Sequence, residues 1–327
     1  MYEKGSQCMM KPIIALYHDL KDEHKEKLQE MAPNYSVKVF HEVSEYDLDA
    51  VEIILGWNND WDASILEKMP HLKWIQKETA GMNAIDESVR QSDKLLLSSM
   101  SGIHADSISQ SVFAFILSYY RGFYQALRDQ RDSKWNQEYY ADLKQANERV
   151  LLIHGTGALS KQMAKVAQVF EMTVYGVNTN GRDVELFDKT VSSDQADSLI
   201  EEADIVINTM PLTNDTRDLF DAKYFDLMKE DAIFINVGRG ESVVEEDLID
   251  ALEESKIAGA YLDVTRVEPL PEESELWQAP NLVITPHSSG AVEHFRDAVF
   301  GVFAENLEQY LEDGTLARNQ YNYSKDY

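Results

Sequence analysis

A repeated alternation of short apolar runs with amphipathic segments is the feature that most constrains this fold. The first series of runs lies at residues 12–18, 37–40, 52–57, 72–78 and 94–99. A second series lies at residues 149–154, 173–178, 204–209, 232–237, 257–264 and 282–286. Strands that are apolar along their whole length belong to parallel sheets, because helices cover both of their faces. We therefore predict an α/β protein with two doubly wound parallel sheets.

Two domains are predicted, one inserted within the other. The chain has 327 residues and contains no repeat, low-complexity run or long flexible linker. Its length suits two domains, and the connections between them must be short. We expect residues 1–100 and 288–327 to form the first domain and residues 101–287 to form the inserted second domain.

One long helix is predicted from His104 to Gln130, because apolar residues recur there at three- and four-residue spacing. Such a helix has two alternative roles. Either it buries one stripe in its own domain and another in a partner subunit, or it packs wholly within its own core.

The strong acidity of the chain limits its partners. The net charge is −28 and the pI is near 4.5, so the phosphates of nucleic acid would be repelled. No apolar run is long enough for a membrane span, and the first residues have no apolar signal-peptide core. Cys8 is the only cysteine, which fits a cytoplasmic protein without internal disulfides. We predict no metal site.

A glycine-containing turn lies between a predicted strand and a predicted helix. It reads Gly155-Thr156-Gly157-Ala158-Leu159-Ser160. The first glycine permits a tight turn, the second lets the backbone approach a pyrophosphate, and the helix N-terminus attracts the anion. Ser160 stands where the fingerprint has a third glycine, and its small side chain should preserve helix–strand packing. We predict a dinucleotide site here, the alternative being a glycine turn without a ligand.

The end of the next strand indicates which nucleotide binds. Sites for NAD usually carry Asp or Glu about 20 residues after the first glycine. This chain has no acid at the expected place and instead offers Asn178, Thr179, Asn180 and Arg182. These groups suit a 2′-phosphate, so NADP(H) is preferred. NAD(H) is the alternative, because acidic residues follow at positions 183 and 185.

Charged residues follow several other strands. Arg239 lies between two glycines directly after an apolar strand, and its planar guanidinium suits a carboxylate. Glu268 and His287 lie on loops that leave two further strands, and rigid strands fix where such side chains point. Taken singly, each of the three could equally be an ordinary surface residue.

Together these segments resemble the D-isomer-specific 2-hydroxyacid dehydrogenases, from about residue 13 to residue 311. The matching segments are TAGMNAID (79–86), GTGALS (155–160), NTMPLTNDTRDLF (208–220), INVGRGESVVEEDL (235–248) and YLDVTRVEPLPEESELWQAPNLVITPHSSG (261–290). The resemblance implies a nicotinamide-dependent oxidoreductase. It also implies a Rossmann cofactor domain inserted into a flavodoxin-like substrate domain.

The resemblance further implies the catalytic roles. Arg239 would bind the carboxylate of a 2-oxo acid and contact its carbonyl. His287 would donate a proton to the carbonyl oxygen as hydride arrives, and Glu268 would hydrogen-bond the other ring nitrogen and favour the protonated ring. Backbone N–H groups around Gly81 and Met82 would hold the carboxylate from the first domain.

Cofactor contacts and a homodimer are implied in the same way. The residues implied to bind the cofactor are Gly155, Thr156, Gly157, Ala158, Leu159, Asn178, Thr179, Asn180, Arg182, Met210, Pro211, Val237, Asp263 and Ser289. Asp263 resembles the residue that binds the nicotinamide amide, the alternative being an acid that only caps a turn.

Neighbouring families differ from this chain at identifiable positions. Formate dehydrogenases of the superfamily have glutamine where this chain has Glu268. Phosphoglycerate dehydrogenases act on a phosphate that needs several cations, whereas the segment at Trp57 offers aromatic and amide groups. We therefore expect glyoxylate, hydroxypyruvate or a larger apolar 2-oxo acid that packs on Trp57 or Trp277, unless these tryptophans belong to the core. A nucleotide-sensing corepressor and a methyltransferase are the remaining alternatives.

Overall fold

The computed structural model describes residues 11–79, 81–82 and 85–323. The chain divides into two compact units, one formed by Met1–Ile103 with Val292–Tyr327 and the other by His104–Ala291. The domain boundaries predicted from the sequence lie at 100/101 and 287/288. Which unit binds which ligand stays a prediction.

Twelve strands occur in the described part of the chain, and they form two parallel sheets. The first sheet, in the order β2-β1-β3-β4-β5, contains β1 (Ile13–Leu16), β2 (Ser36–Val39), β3 (Val51–Leu55), β4 (Trp74–Gln76) and β5 (Leu96–Ser98). The second, in the order β12-β11-β10-β9-β6-β7-β8, contains β6 (Val150–His154), β7 (Thr173–Asn178), β8 (Lys189–Ser192), β9 (Ile205–Asn208), β10 (Ile233–Asn236), β11 (Gly259–Leu262) and β12 (Leu282–Ile284). These are the flavodoxin-like order and the Rossmann order with a seventh strand added, so the predicted fold class is confirmed.

The helices are α1 (Asp22–Met31), α2 (Ser64–Lys68), α3 (Glu87–Arg90), α4 (Ala105–Tyr120), α5 (Phe123–Arg131), α6 (Ala158–Val169), α7 (Asp197–Ile200), α8 (Ala222–Leu227), α9 (Glu245–Glu253) and α10 (Phe295–Asp313). Across the described residues, none of these helices combines the length and apolarity that a membrane crossing requires.

The apolar strands are buried on both faces. In the second unit, Leu152, Val206 and Phe234 belong to one core cluster. Their neighbours along the same strands, such as Ile153 and Ile207, belong to another cluster on the opposite face. Successive side chains of a strand point to opposite faces, so every position must be apolar. This is why the runs read as continuous in the sequence.

The prediction of a single helix from residue 104 to residue 130 is wrong. The segment forms α4 and α5, and the backbone turns at Gly122, whose φ is +70°. A Cβ at that position would lie 2.8 Å from side-chain atoms of both Leu143 and Tyr139. Glycine therefore permits the left-handed turn and the close packing together. Apolar spacing continues through the turn, so periodicity did not reveal the break.

Strand β8 is a second element that the sequence pattern did not indicate. It lies at the edge of the second sheet and reads Lys-Thr-Val-Ser. Its residues are exposed or half-buried, because an edge strand has a neighbour on one side only. An edge strand therefore lacks the continuous apolar run that identifies the central strands.

His154, the last residue of β6, is a buried titratable group. It is 2% exposed, and its Nε2 lies 2.6 Å from the hydroxyl of Tyr224. The ring of Phe220 contacts it edge-on. Burial lowers the pKa of His154 from 6.5 to about 4, because the charged ring would lose its hydration there.

We expect His154 to make the stability of the second unit depend on pH. The unfolded chain takes up its proton first as the pH falls, because the pKa is lower in the folded chain. The stabilisation is complete above pH 6.5, declines as the pH falls towards 4, and totals about 3 kcal/mol. Urea unfolding between about pH 7.5 and about pH 5 should show a steeper loss for wild type than for His154→Leu. Parallel losses would contradict the prediction.

Candidate active site

The predicted glycine turn lies where the strand order of the second sheet reverses. Gly155 follows β6, which pairs with β7 on one side and β9 on the other. Its φ is +93°, and a Cβ there would lie 2.7 Å from Oγ1 of Thr209. Gly157 caps α6, and apart from its chain neighbours no heavy atom of the described residues lies within 4 Å of the place where its Cβ would be. The start of α6, which has no acidic residue in its first turn, is therefore open to an anionic group.

Ser160, the departure from the glycine fingerprint, is buried at the packing contact. It is 1% exposed, and its Oγ lies 2.9 Å from Oγ1 of Thr209. The Thr209 hydroxyl donates to the carbonyl of His154 at 2.8 Å. Ser160 thus connects α6 to the ends of β6 and β9. Its hydrogen bond takes the place of the close helix–strand packing that a third glycine would allow.

The residues predicted to recognise a 2′-phosphate form a small polar loop after β7. Asn178 is 8% exposed, and its side-chain amide donates to the carbonyl of Arg182 at 2.9 Å. The guanidinium of Arg182 donates to Oδ1 of Asn180 at 3.3 Å. Thr179, Asn180 and Arg182 are exposed, so they are accessible to a ligand. Asn178 instead shapes the loop.

Other predicted cofactor residues lie at the ends of neighbouring strands. Met210 and Pro211 follow β9, and the Met210 N–H donates to Oδ1 of Asn208 at 3.0 Å. Val237 follows β10 and is 7% exposed. Ala158 and Leu159 form the first turn of α6. Met210, Pro211 and Val237 thus follow the ends of neighbouring strands, whereas Ala158 and Leu159 lie in α6. The contact of these residues with a cofactor stays a prediction.

Arg239 is exposed, and hydrogen bonds from buried side chains hold the backbone of its loop. Its carbonyl accepts hydrogen bonds from the amide of Asn236 at 3.0 Å and from the hydroxyl of Ser242 at 2.6 Å. Asn208 in turn donates to Asn236 at 2.9 Å and to Ser242 at 2.8 Å. This buried network was not predicted, although an asparagine that ends each of two apolar strands was a signal for it.

Glu268 and His287 form the predicted carboxylate–imidazole pair. Nδ1 of His287 lies 2.8 Å from Oε2 of Glu268, and the two side chains are 53% and 39% exposed. The other oxygen of Glu268 accepts from the N–H of Thr265 at 3.1 Å. With Nδ1 engaged by the carboxylate, Nε2 is the ring nitrogen available for proton exchange with a ligand.

Asp263 holds the loop that carries His287. It is 3% exposed. It accepts hydrogen bonds from the hydroxyl of Thr285 at 2.5 Å, from the N–H groups of Ser288 and Ser289 at 2.9 and 3.0 Å, and from the hydroxyl of Ser289. The backbone of His287 adopts a φ of +50° within this loop. The cofactor contacts predicted for Asp263 and Ser289 stay predictions, and the geometry assigns both residues a structural role.

Arg266 holds the loop that leads to Glu268. Its guanidinium donates to the carboxylate of Asp218 and, at 2.7 Å, to the carbonyl of Val243. The backbone N–H of Arg266 donates to Oε1 of Glu245 at 2.7 Å. The bond with Asp218 raises the pKa of Arg266 further, so the guanidinium stays charged. No sequence signal connects Asp218 with Arg266, since they are 48 residues apart.

The predicted substrate residues lie in the first unit. Gly81 is exposed and Met82 is 4% exposed; residues 80, 83 and 84 of the same segment lie outside the described residues, as does Cys8. Trp57 is 2% exposed and packs edge-on against Trp61 at 5.1 Å. Trp277, in the second unit, is 49% exposed and donates to the carbonyl of Pro271 at 2.8 Å.

We expect Gly240→Ala to separate the loops that carry Arg239 and Glu268. A Cβ at Gly240 would lie 2.0 Å from the backbone carbonyl of Thr265, a contact that only backbone movement can relieve. The variant should lose more than about 3 kcal/mol of unfolding free energy. Gly301→Ala is the control, because beyond the backbone of α10 itself no atom of the described residues lies within 4 Å of its Cβ position. Thermal unfolding that shows equal stability for Gly240→Ala and wild type would contradict the prediction.

Comparison with known proteins identifies relatives of this chain. Residues 113–289 match the family model described as "D-isomer specific 2-hydroxyacid dehydrogenase, NAD binding domain". Glyoxylate/hydroxypyruvate reductase B of Escherichia coli (strain SMS-3-5) is 31% identical over 322 residues, which are 96% of this chain and 98% of that protein.

Two solved structures extend the comparison to the whole fold. Phosphoglycerate dehydrogenase from Lactobacillus plantarum is 35% identical with a TM-score of 0.58, over 95% of this chain and 100% of that one. A D-isomer specific 2-hydroxyacid dehydrogenase from Xanthobacter autotrophicus Py2, in complex with NADPH and MES, is 26% identical with a TM-score of 0.79, over 97% of this chain and 100% of that one.

The family model covers more than half of the chain, and the similarity to the Escherichia coli reductase extends over nearly all of it. The resemblance inferred from the motifs is therefore confirmed. The chain belongs to the D-isomer-specific 2-hydroxyacid dehydrogenase family, whose members are nicotinamide-dependent oxidoreductases.

Proposed function

We propose that the protein reduces a small 2-oxo acid to the D-2-hydroxy acid, with Glu268 and His287 as the proton-transfer pair and Arg239 as the carboxylate ligand. The observation that supports this most directly is the 2.8 Å contact between Nδ1 of His287 and Oε2 of Glu268. It joins loops from two strands into one acid–base unit.

His287 donates the proton that the reduction requires. The carbonyl oxygen gains negative charge as the carbonyl carbon is reduced, and Nε2–H of His287 protonates it to give the hydroxyl. Glu268 stabilises the protonated ring through Nδ1 and fixes its orientation. In the reverse direction, neutral His287 accepts the hydroxyl proton. When bound, the nicotinamide cofactor supplies or accepts the hydride.

Arg239 binds the substrate carboxylate and polarises the carbonyl. Among the described residues, its exposed guanidinium has one hydrogen bond, from Nη1 to the carbonyl of Gly238 at 2.7 Å. A planar fork of this kind binds a carboxylate with two parallel hydrogen bonds. In a chain of net charge −28, Arg239 and protonated His287 provide the cations that an anionic substrate needs.

The residues present fit a dinucleotide. Gly157 leaves open space at the N-terminus of α6 for a pyrophosphate. The hydroxyl of Thr156 is buried without a hydrogen-bond partner among the described residues. Thr179, Asn180 and Arg182 are exposed beyond β7, where the ribose end of the dinucleotide would lie. The related Xanthobacter autotrophicus structure is a complex with NADPH, and we infer that this chain prefers NADPH over NADH.

We expect initial rates measured with NADPH and with NADH to show this preference. Arg182 is the cation of the loop after β7, so its loss should affect the cofactor that carries a 2′-phosphate. Arg182→Gln should raise the KM for NADPH by about tenfold, the effect of one lost charge-assisted hydrogen bond. The KM for NADH serves as the internal control and should change little. An equal change for both cofactors would place Arg182 outside the phosphate site.

Removal of His287 should abolish reduction and spare cofactor binding. We expect kcat of His287→Ala to fall by at least about 10²-fold, since general acid–base groups contribute about 10²–10⁴. NADPH oxidation with glyoxylate, hydroxypyruvate and phenylpyruvate measures the rate, and NADPH fluorescence measures binding. His294→Ala is the matched control, because His294 is an exposed histidine that follows in the chain. Full activity of His287→Ala would show that another group donates the proton.

Glyoxylate and hydroxypyruvate are the first substrates to test. They are the substrates in the name of the Escherichia coli relative, whereas the Lactobacillus plantarum structure is named for phosphoglycerate. Wild type without turnover of any 2-oxo acid, but with a stable protein partner, would favour the corepressor alternative.

A homodimer in the cytoplasm completes the proposal. Apolar and aromatic side chains of α5 and the segment after it are exposed, namely Phe123 (59%), Leu127 (54%), Trp135 (91%) and Tyr140 (57%). Exposed apolar side chains that lie this close together in the sequence are consistent with a surface that another subunit covers. A sole cysteine in the sequence fits a reducing compartment.

A further inference from the structure

Loops that come after three neighbouring strands meet in the second unit. The segment 218–220 comes after β9, and the segment 241–244 comes after β10. Three backbone hydrogen bonds of 3.0 Å join these two segments, and Phe220 and Val243 form a parallel bridge within them. The two loops therefore pair in parallel, as β9 and β10 do.

The side chain of Arg266, in the loop after β11, connects to both segments. Its guanidinium donates to the carboxylate of Asp218 and, at 2.7 Å, to the carbonyl of Val243. A guanidinium carries five N–H donors in a fixed plane, so one side chain can make both bonds. Arg266 thus joins the loops after β9, β10 and β11.

Acidic residues attract this guanidinium. The bond with Asp218 raises the pKa of Arg266, and the charges of Asp218, Glu245 and Glu246 raise it further, while burial opposes them. The backbone N–H of Arg266 also donates to Oε1 of Glu245 at 2.7 Å. Arg266 therefore stays charged, and both its side chain and its backbone are bound to neighbouring segments.

The turn that leads from Arg266 to Glu268 is closed by its own hydrogen bonds. The backbone N–H of Thr265 donates to Oε1 of Glu268 at 3.1 Å, and the hydroxyl of Thr265 donates to the carbonyl of Val267 at 2.9 Å. We therefore expect the turn to move as one piece. Because Oε2 of Glu268 lies 2.8 Å from Nδ1 of His287, the position of the turn decides whether this contact forms.

The ion pair of Arg266 with Asp218 is too exposed to stabilise the fold strongly. The two side chains are 34% and 48% exposed, and ion pairs near the surface contribute little to the free energy of unfolding. We therefore expect its effect on the position of the turn, and through the turn on the contact between Glu268 and His287.

We propose that Arg266 and Asp218 are positioning residues that hold Glu268 against His287. They act on the reaction through Glu268. This inference rests on the proposed function, in which Glu268 and His287 transfer the proton. Among the described residues, Glu268 is the carboxylate that forms an ion pair with the His287 ring. Its position therefore determines how strongly the ring retains its proton.

The test is the pH dependence of reduction in Arg266→Gln and Asp218→Asn. Reduction needs protonated His287, so the rate falls as the pH rises. Withdrawal of Glu268 weakens proton retention, and the midpoint of this fall should move to lower pH by about half a unit or more in both variants. We expect kcat to fall by about tenfold in Arg266→Gln and about threefold in Asp218→Asn, with the KM for the 2-oxo acid within about twofold of wild type.

The two substitutions separate positioning from a simple effect of charge. Arg266→Gln removes a positive charge, and Asp218→Asn removes a negative one. If the pair acted on His287 only through its electric field, the first would raise the midpoint and the second would lower it. Positioning lowers the midpoint in both. An upward shift in Arg266→Gln, or no shift, would overturn the proposal.

Asparagine is chosen at position 218 because of the backbone there. Asp218 has a φ of +54°, a conformation that asparagine adopts as readily as aspartate. The variant should therefore keep the loop conformation, which thermal unfolding checks. Should Arg266→Gln fail to fold, an unshifted midpoint in Asp218→Asn would still overturn the proposal.

Lys256→Gln is the matched control. Lys256 forms an ion pair with Asp226 at 2.8 Å in the same unit, and these side chains are 37% and 55% exposed. This substitution removes one positive charge, as Arg266→Gln does, from a pair of similar exposure. It should leave the midpoint and kcat unchanged. A shift equal to that of Arg266→Gln would overturn the proposal.

A measurement without substrate separates this inference from the proposed function. NMR titration of the His287 ring, assigned by comparison with His287→Ala, should show the same downward shift in both variants. Turnover in wild type together with unshifted titrations in the variants would overturn the positioning role and leave the reductase function intact. Shifted titrations in a protein that reduces no 2-oxo acid would overturn the proposed function and leave the hold of Arg266 and Asp218 on Glu268 intact.

Discussion

Parallel pairing of strands is the constraint on which the candidate site depends. Asn208 and Asn236 end two neighbouring strands in register and are joined by a hydrogen bond of 2.9 Å. Because all the strands of the sheet run in one direction, the loops that carry the glycine turn, Arg239 and His287 leave the same edge. A ligand at that edge meets residues from distant segments of the chain.

Buried polar groups hold these loops in place. The carboxylate of Asp263 accepts four hydrogen bonds from the segment 285–289 among the described residues. Arg266 connects the loop before Glu268 to Asp218 and Glu245. A buried donor or acceptor without a partner is costly, so these contacts disfavour other loop arrangements. The exposed side chains of Glu268 and His287 are thus presented by a backbone that is firmly held.

The central strands were predictable because both faces of each sheet are buried, so the whole strand must be apolar. The edge strand β8 was not predictable in this way, because its residues are partly exposed. The turn at Gly122 was hidden because apolar spacing continues on both sides of it. The motifs identified Arg239, Glu268 and His287, because special turns and strand ends leave local signals. The contact between Arg266 and Asp218 leaves none, since it depends on how two remote loops fold.

The sequence by itself determined the fold class, the family and the residues that carry charge at strand ends. Only the tertiary structure decided that Glu268 and His287 meet at 2.8 Å and that Asn178 is buried in its own loop. It also decided that Trp57 is buried and packs against Trp61. The physical reason is that a local pattern records which residues are buried or must turn. Distances between segments are set by strand register and loop conformation, which involve residues far apart in the chain.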